Sequence, residues 1–313
     1  MNMNPHSFIK CRRGFKFLIE RQFGAFQLQN YQTARKYHFK TRESGPLISL
    51  KYELDEKNIN TGVALLSFNN SSRLNPMSEE MGKQFQKALK ELEDDSSVRA
   101  LVLTGKGRAF SAGGDMEFLK ARAIASVTDN ERVMQSFYSR FLCVHKMPFP
   151  TIAAINGPAM GAGFCVALAC DIRLACRQAK MAVNFVRLGL SPGMAGSLSL
   201  PRVTNHQIAA RMVLTGDTIS GEEAVKLGLV AQAYETPADL LEEAIAMARR
   251  ISAASPQAVT KTLELLRGDR WDGLEKHLES EAKFQAECYQ HKDYLEGITS
   301  SIEKRSPKFD DHR

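Results

Sequence analysis

Residues 156–172 read NGPAMGAGFCVALACDI, with three glycines and no charged side chain before Asp171. They follow TIAAI, 151–155, an apolar run that reads as a buried strand. Within them GFCVALAC, 163–170, is apolar all round and reads as a short buried helix. A strand, a turn of small residues and a helix expose backbone N–H groups at the helix N-terminus. There the unpaired donors and the helix dipole favour negative charge. Small residues also let the backbone come close to another group, and tight turns alone would use them equally.

The same order occurs earlier. The strand VRALVLTG, 98–105, leads into KGRAFSAGGD, 106–115, and then into a short helix from Met116. Two such donor sites can converge on one oxygen and form an oxyanion hole for an ester or thioester carbonyl. A dinucleotide fingerprint is the competing reading of GAGFCVALACD. It lacks the third glycine, and Asp171 comes far too soon for a ribose-binding acid expected about 20 residues on.

Outward from these stretches, strands and helices alternate. LISLKYEL and GVALLSF read as two strands joined by a polar turn, with order beginning near Pro46. NPMSEEMGKQFQKALKELEDD reads as a helix with Met77, Met81, Phe85, Ala88, Leu89 and Leu92 on one face and Asn75 and Pro76 at its start. Residues 129–146 make another helix, and DIRLAC and AKMAV are short strand-like runs. SGEE, 220–223, is a capping box, and VAQAY is a last strand. From Ala238 onward nearly everything is helical, including a helix capped by Ser255, opened by Pro256 and stopped by Gly268. The expected class is α/β with a helical C-terminal part packed closely on it.

The totals agree with a globular protein. The chain has 313 residues, 43% hydrophobic and 25% charged, and no apolar run approaches the roughly 20 residues that span a bilayer. The net charge of +7 is largely a property of the first 42 residues. Lys10, Arg12, Arg13, Lys16, Arg21, Arg35, Lys36, Lys40 and Arg42 stand there against Glu20 alone. That distribution argues against a nucleic-acid surface. It reads as a disordered mitochondrial targeting segment over residues 1–45, placing the mature chain in the matrix, although a plain basic arm has the same composition. The six cysteines form no CxxC pair and have no histidine at ligand spacing, so neither a disulfide frame nor a zinc site is expected.

GRAFSAGGDMEFL, PTIAAINGPAMGAGFCVALACDIRLA, LGLSPGMAGSLSLPRV, LTGDTISGEEAVKLGLV and LEGITSSIEKRSPKF together, in this order, resemble the crotonase family, the enoyl-CoA hydratase/isomerase superfamily. The resemblance covers about residues 47–309. It implies a spiral of ββα units over 46–235 and a helical trimerisation region over 236–313, giving a homotrimer or homohexamer. It implies an acyl-CoA substrate, whose CoA is part of the substrate, with no other cofactor, no metal and no membrane insertion. It places the oxyanion hole on the backbone N–H groups of Ala112 and Ala162. It makes Asp115 a residue that steadies the loop beside CoA. It puts Phe284 and Lys304 near the adenine end, and Arg108 near a CoA phosphate.

The chain departs from the family at both hydratase glutamates. Cys165 and Phe185 occupy those positions. A thiol has an unperturbed pKa near 8.5 and is a poor substitute for a carboxylate base. Phe185 only shapes a pocket. Glu117 is then the leading candidate acid, with Tyr138, His145 and Glu131 behind it. The resemblance therefore implies an acyl-CoA enzyme of fatty-acid or branched-chain metabolism that holds a thioester enolate. The alternative is a catalytically silent CoA-binding or scaffold protein of the same fold.

Overall fold

The computed structural model describes residues 37–42 and 45–309. The chain divides into two units, Met1–Tyr37 and His38–Arg313, and only Tyr37 of the first is described. The targeting reading of the N-terminal segment therefore lies almost wholly outside the described residues.

Strands β2 (Ile48–Leu54) and β3 (Asn60–Phe68) pair antiparallel, as their alternating and apolar patterns suggest. A further strand, β1 (His38–Arg42), pairs antiparallel with β2. This corrects the expected disorder through residue 45. Its side chains are mostly exposed, so the strand rests on its backbone ladder and carries no burial pattern to betray it. Strands β4 (Ala100–Gly105), β5 (Thr151–Ile155), β7 (Ile172–Cys176) and β9 (Gln232–Tyr234) continue the sheet in parallel. The seven-stranded order is β1-β2-β3-β4-β5-β7-β9. A second sheet pairs the short strands β6 (Ala159–Met160) and β8 (Met181–Ala182).

The order ββα recurs along the chain. After β2 and β3 comes α1 (Glu79–Glu93), capped by Ser78 and burying Met81, Phe85, Ala88, Leu89 and Leu92. Asn75 and Pro76 stand before this helix rather than at its start. After β4 come a short parallel bridge at Ser111 and α2 (Met116–Arg122). Helix α3 (Val127–Leu142) then precedes β5, and it ends in a 3-10 turn, Cys143–Lys146. After β5 and β6 comes α4 (Ala162–Ala169), every residue of it buried. After β7 and β8 come the 3-10 turn Phe185–Leu188 and α5 (Gly196–Val203). This is the expected spiral, with β4 and β5 buried along their whole length.

Helices α6 (His206–Thr215) and α7 (Gly221–Lys226) follow, and the Ser220–Glu223 capping box on α7 is fully formed. Helix α8 (Pro237–Ser252) lies across β3, β4, β5 and β7, so the helical C-terminal part shares the core of the sheet. Helices α9 (Pro256–Arg267), α10 (Leu274–Cys288) and α11 (Lys292–Glu303) complete the chain. Helix α10 packs along α3, and that pairing closes the cavity described below.

One ion pair ties α9 to the sheet. Arg267 Nε and Nη2 each donate to an Asp171 carboxylate oxygen at 2.8 Å. Asp171 Oδ2 also accepts from the Thr151 amide and hydroxyl, each at 2.8 Å. Burial works against ionisation of Asp171. The Arg267 hydrogen bonds and charge, together with the Thr151 donors, outweigh it and hold the carboxyl below its usual value. A depressed folded-state pKa contributes stability above the unfolded value, near 3.9, and that stability is lost as pH falls through the folded value. Asp171→Asn is expected to lower stability by about 3 kcal/mol at pH 7, the lower end for a buried pair, because it leaves the largely covered Arg267 without its charge partner. In urea unfolding the gap from wild type narrows steadily below about pH 4.

Candidate active site

Two turns meet at the ends of β4 and β5. The Ser111 amide donates to the Pro158 carbonyl at 3.0 Å, and the Met160 amide donates to the Ser111 carbonyl at 3.0 Å. The glycines are small because these backbones touch. A Cβ on Gly113, whose φ is 92°, would lie 2.8 Å from the Met160 carbonyl oxygen. One on Gly163 would lie 2.7 Å from the Ser111 Cβ. The close approach suggested by the sequence is thus first of all turn against turn.

A cavity of about 130 Å³ opens beside this contact. The turn residues Gly114 and Ala162 line it from one side, and Phe118, Phe137 and Phe185 give it apolar walls. Ala162 is the first residue of α4, and its N–H makes no hydrogen bond to a described residue. Ala112 does not supply the second donor. Its N–H donates to the Leu74 carbonyl at 2.9 Å, so the expected oxyanion role is corrected. Gly113 donates to the Ser111 hydroxyl at 3.2 Å. Gly114 is the residue of this turn whose N–H is left without a partner among the described residues. Its flanking groups are used in a short parallel pairing with Met77. Met77 N–H donates to Gly113 O at 2.7 Å and Asp115 N–H to Met77 O at 2.9 Å.

Asp115 is a structural anchor. Its carboxylate caps α2 by accepting from the amides of Glu117 at 3.0 Å and Phe118 at 3.3 Å, and it meets Arg73 Nη2 at 3.0 Å. Asn75, in the left-handed region at φ 54°, holds the loop from the other side. Its side-chain amide donates to the carbonyls of Lys106, Ala109 and Phe110, and its side-chain oxygen accepts from the Asn70 amide. The sequence pattern marks Asn75 only as preceding a helix, because the carbonyls its side chain holds lie more than thirty positions on.

The candidate acids separate cleanly. Glu117 is exposed, pairs with Lys120 at 3.0 Å and does not line the cavity, so its expected catalytic role is corrected. Glu131 does not line it either. His145 stacks against Trp271 with ring centroids 4.7 Å apart, outside the cavity. Burial, then the neighbouring Lys146, Arg267 and Arg270 charges, push its pKa down to about 4. Cys165 is buried, and its thiol reaches only the Gly193 carbonyl at 3.7 Å. Burial, and secondarily Glu281, push that thiol well up, so it stays neutral. Phe185 lines the cavity. Arg108, Phe284 and Lys304 are exposed and outside the cavity lining, although Lys304 follows Ser301, which lines it, by one helical turn.

Tyr138 is the candidate that reaches the cavity. Its hydroxyl donates to Gln285 Oε1 at 2.8 Å, and the Tyr289 hydroxyl reaches the same oxygen at 3.2 Å. Gln285 Nε2 is fixed on the Ser191 carbonyl at 2.8 Å. A Cβ on Gly193 would lie 2.6 Å from the Tyr138 hydroxyl, so the bare glycine makes room for it. Burial, then Tyr289, Glu281 and Cys165, raise the Tyr138 phenol well above its ordinary value near 10. It is a neutral donor throughout the physiological range. Among the described residues lining the cavity there is no Asp, Glu, His, Lys or Arg.

The buried carboxylate of Glu281 was not foreseen. It accepts from the Ala195 amide and the Ser197 hydroxyl, each at 2.7 Å, and so caps α5. Met194 and Ala195 are held there with positive φ, and Met194 lines the cavity. Glu281 shapes the wall and stands outside the space.

Residues 58–312 match the family model described as "Enoyl-CoA hydratase/isomerase". A "Probable enoyl-CoA hydratase" of Bacillus subtilis is 34% identical over 247 residues, which are 79% of this chain and 95% of that protein. The "1,2-epoxyphenylacetyl-CoA isomerase" of Escherichia coli is 33% identical over 254 residues, 80% of this chain and 96% of its own. The solved structure of Pseudomonas aeruginosa OdaA superimposes with a TM-score of 0.72 at 29% identity, over 82% of this chain and 99% of that one.

Asn75→Ala is expected to destabilise the protein by about 3 kcal/mol, since it strands buried carbonyls and an amide together. Thermal melting reads the loss. Glu117→Gln, by contrast, is expected to leave the melting temperature and any turnover within twofold of wild type.

Proposed function

Because the chain belongs to the enoyl-CoA hydratase/isomerase family, we propose that its cavity holds the acyl group of a CoA thioester, with the carbonyl oxygen on the N–H groups of Gly114 and Ala162. The observation that carries this reading is the pair of unpartnered amides lining one apolar cavity. An amide donor fixed in a water-poor site stabilises developing negative charge without reorganising. The dipole of α4 adds to the Ala162 donor. Enolate formation at the thioester is the chemistry such a pair serves.

CoA itself lies outside the cavity in this reading. Lys304, one turn beyond the cavity-lining Ser301, would serve its nucleotide, with Phe284 at the adenine and Arg108 at a phosphate. No cofactor beyond the CoA of the substrate is required. Exposed Leu265, Leu266, Leu295 and Ile302 on the C-terminal helices support assembly into a homotrimer or homohexamer. The basic first 42 residues support a mitochondrial matrix address, and with it a role in fatty-acid or branched-chain acyl metabolism. A silent CoA-binding protein is the second reading, and the cavity lining without carboxylates favours it.

Binding of butyryl-CoA labelled with carbon-13 at the carbonyl tests the oxyanion hole without any turnover. The labelled carbonyl stretch is expected to move to lower wavenumber on the protein. Ala162→Pro removes one donor at the first position of the helix, where the N–H has no intrahelical partner, and thermal melting checks that the variant is folded. This variant is expected to lose most of the shift and, on any substrate turned over, about 100- to 1000-fold in kcat. Failure to bind the thioester, or a bound carbonyl with an unshifted band, overturns the reading.

A further inference from the structure

Building on the oxyanion reading above, we infer that the substrate class is a 2-carboxyacyl-CoA thioester, decarboxylated at C2, with Tyr138 delivering the proton that replaces the carboxylate. Hydration, double-bond isomerisation and thioester hydrolysis each need a group that removes a proton from water or carbon. The described residues lining this cavity supply no such group: Tyr138 and Tyr289 are its titratable members, and both phenols are held neutral by burial. Decarboxylation forms the same enolate with no protein base. It needs a place for the oxyanion, a proton donor and surroundings that disfavour the carboxylate.

The cavity offers all three. The C2–carboxylate bond breaks, and its electron pair becomes the C1–C2 double bond of the enolate. The thioester π pair moves onto the oxygen held by Gly114 and Ala162, and carbon dioxide leaves uncharged. The pair then returns to form a C–H bond at C2, taking the proton of the Tyr138 hydroxyl. The phenolate regains a proton from water as the saturated acyl-CoA departs. The net reaction consumes one proton and releases one carbon dioxide, with no oxidant or reductant. Phe118, Phe137 and Phe185 give the carboxylate poor solvation, which raises the ground state relative to the charge-dispersed transition state.

Two polar side chains complete the assignment. Gln285 keeps the Tyr289 hydroxyl at 3.2 Å when the Tyr138 hydroxyl turns to substrate, so its carbonyl is never left bare. Asn184 lines the cavity, and its carboxamide makes no hydrogen bond to a described residue. Its Oδ1 stands 3.3 Å from where a Cβ on Gly161 would be, which places the amide at the oxyanion turn. Asn184 there orients the substrate carboxylate out of the thioester plane.

The test uses the full chain with malonyl-CoA and its 2-methyl and 2-ethyl derivatives in deuterium oxide. Carbon dioxide release with one deuterium at C2 of the product is expected. Tyr138→Phe is expected to lower kcat about 100-fold with KM within twofold, as loss of a general acid does. Asn184→Ala is expected to raise KM for the carboxylated substrates about tenfold, the effect of one hydrogen bond to a charged group. Its affinity for butyryl-CoA is expected to be unchanged. No carbon dioxide from the three substrates, with the butyryl-CoA carbonyl band still shifted, overturns this inference and leaves the oxyanion reading standing. Loss of the band shift as well overturns both. Full turnover in Tyr138→Phe overturns the assignment of the donor.

Discussion

Ser111 and the 158–160 segment hold each other by two backbone hydrogen bonds, Ser111 N–H to Pro158 and Met160 N–H to Ser111, and the rest of the site depends on that contact. It fixes how far apart the ends of β4 and β5 can stand. It turns Gly114 and Ala162 toward the same space. Gly113 and Gly163 are small because the opposing backbone and side chain leave no volume for a Cβ. Asn75 and Asp115 act on the same contact from outside, one by filling carbonyls of the loop and the other by starting α2. The geometry of the two turns is a consequence of backbone packing, and these side chains enter mainly to hold the backbone still.

That dependence explains what the sequence reveals. Strand, small-residue turn and buried helix are local patterns, so β5, α4 and the existence of a donor site were legible from 151–170. The alternation of elements and the C-terminal helices were legible for the same reason. The choice between Ala112 and Gly114 was not. It turns on whether an amide finds a carbonyl, and the carbonyl that takes Ala112 belongs to Leu74, brought there by the fold. Glu281 was equally hidden. Its helix segment, LESEAKF, reads as an ordinary polar surface, yet the Ala195 amide and the Ser197 hydroxyl are brought against the carboxylate. Strand β1 escaped notice because its side chains carry no burial signal.

Burial treats the acidic groups of this protein in two ways, and the contrast bears on function. Asp171 is buried against Arg267 and two Thr151 donors, so it keeps its charge and serves the fold. Cys165, Tyr138 and Tyr289 are buried, and the Arg122 charge near Tyr289 does not offset that burial, so all three keep their protons. The first arrangement stabilises an ion that never meets substrate. The second leaves the cavity as a neutral, poorly solvating space with hydrogen-bond donors on its walls and no carboxylate, histidine or lysine among the described residues that line it.

Such a space selects among reactions by the charge each must create. A reaction that begins by drawing a proton onto the protein would require a new charge where none is solvated. A reaction that begins with a charged substrate and ends with a neutral gas and a neutral thioester disperses charge as it proceeds. In the proposed reaction, the desolvation that would penalise a substrate carboxylate would be relieved on the way to an enolate held by the Gly114 and Ala162 amides. Cys165 keeps its proton and Phe185 lines the cavity, so neither position sets a negative charge against a carboxylated acyl group.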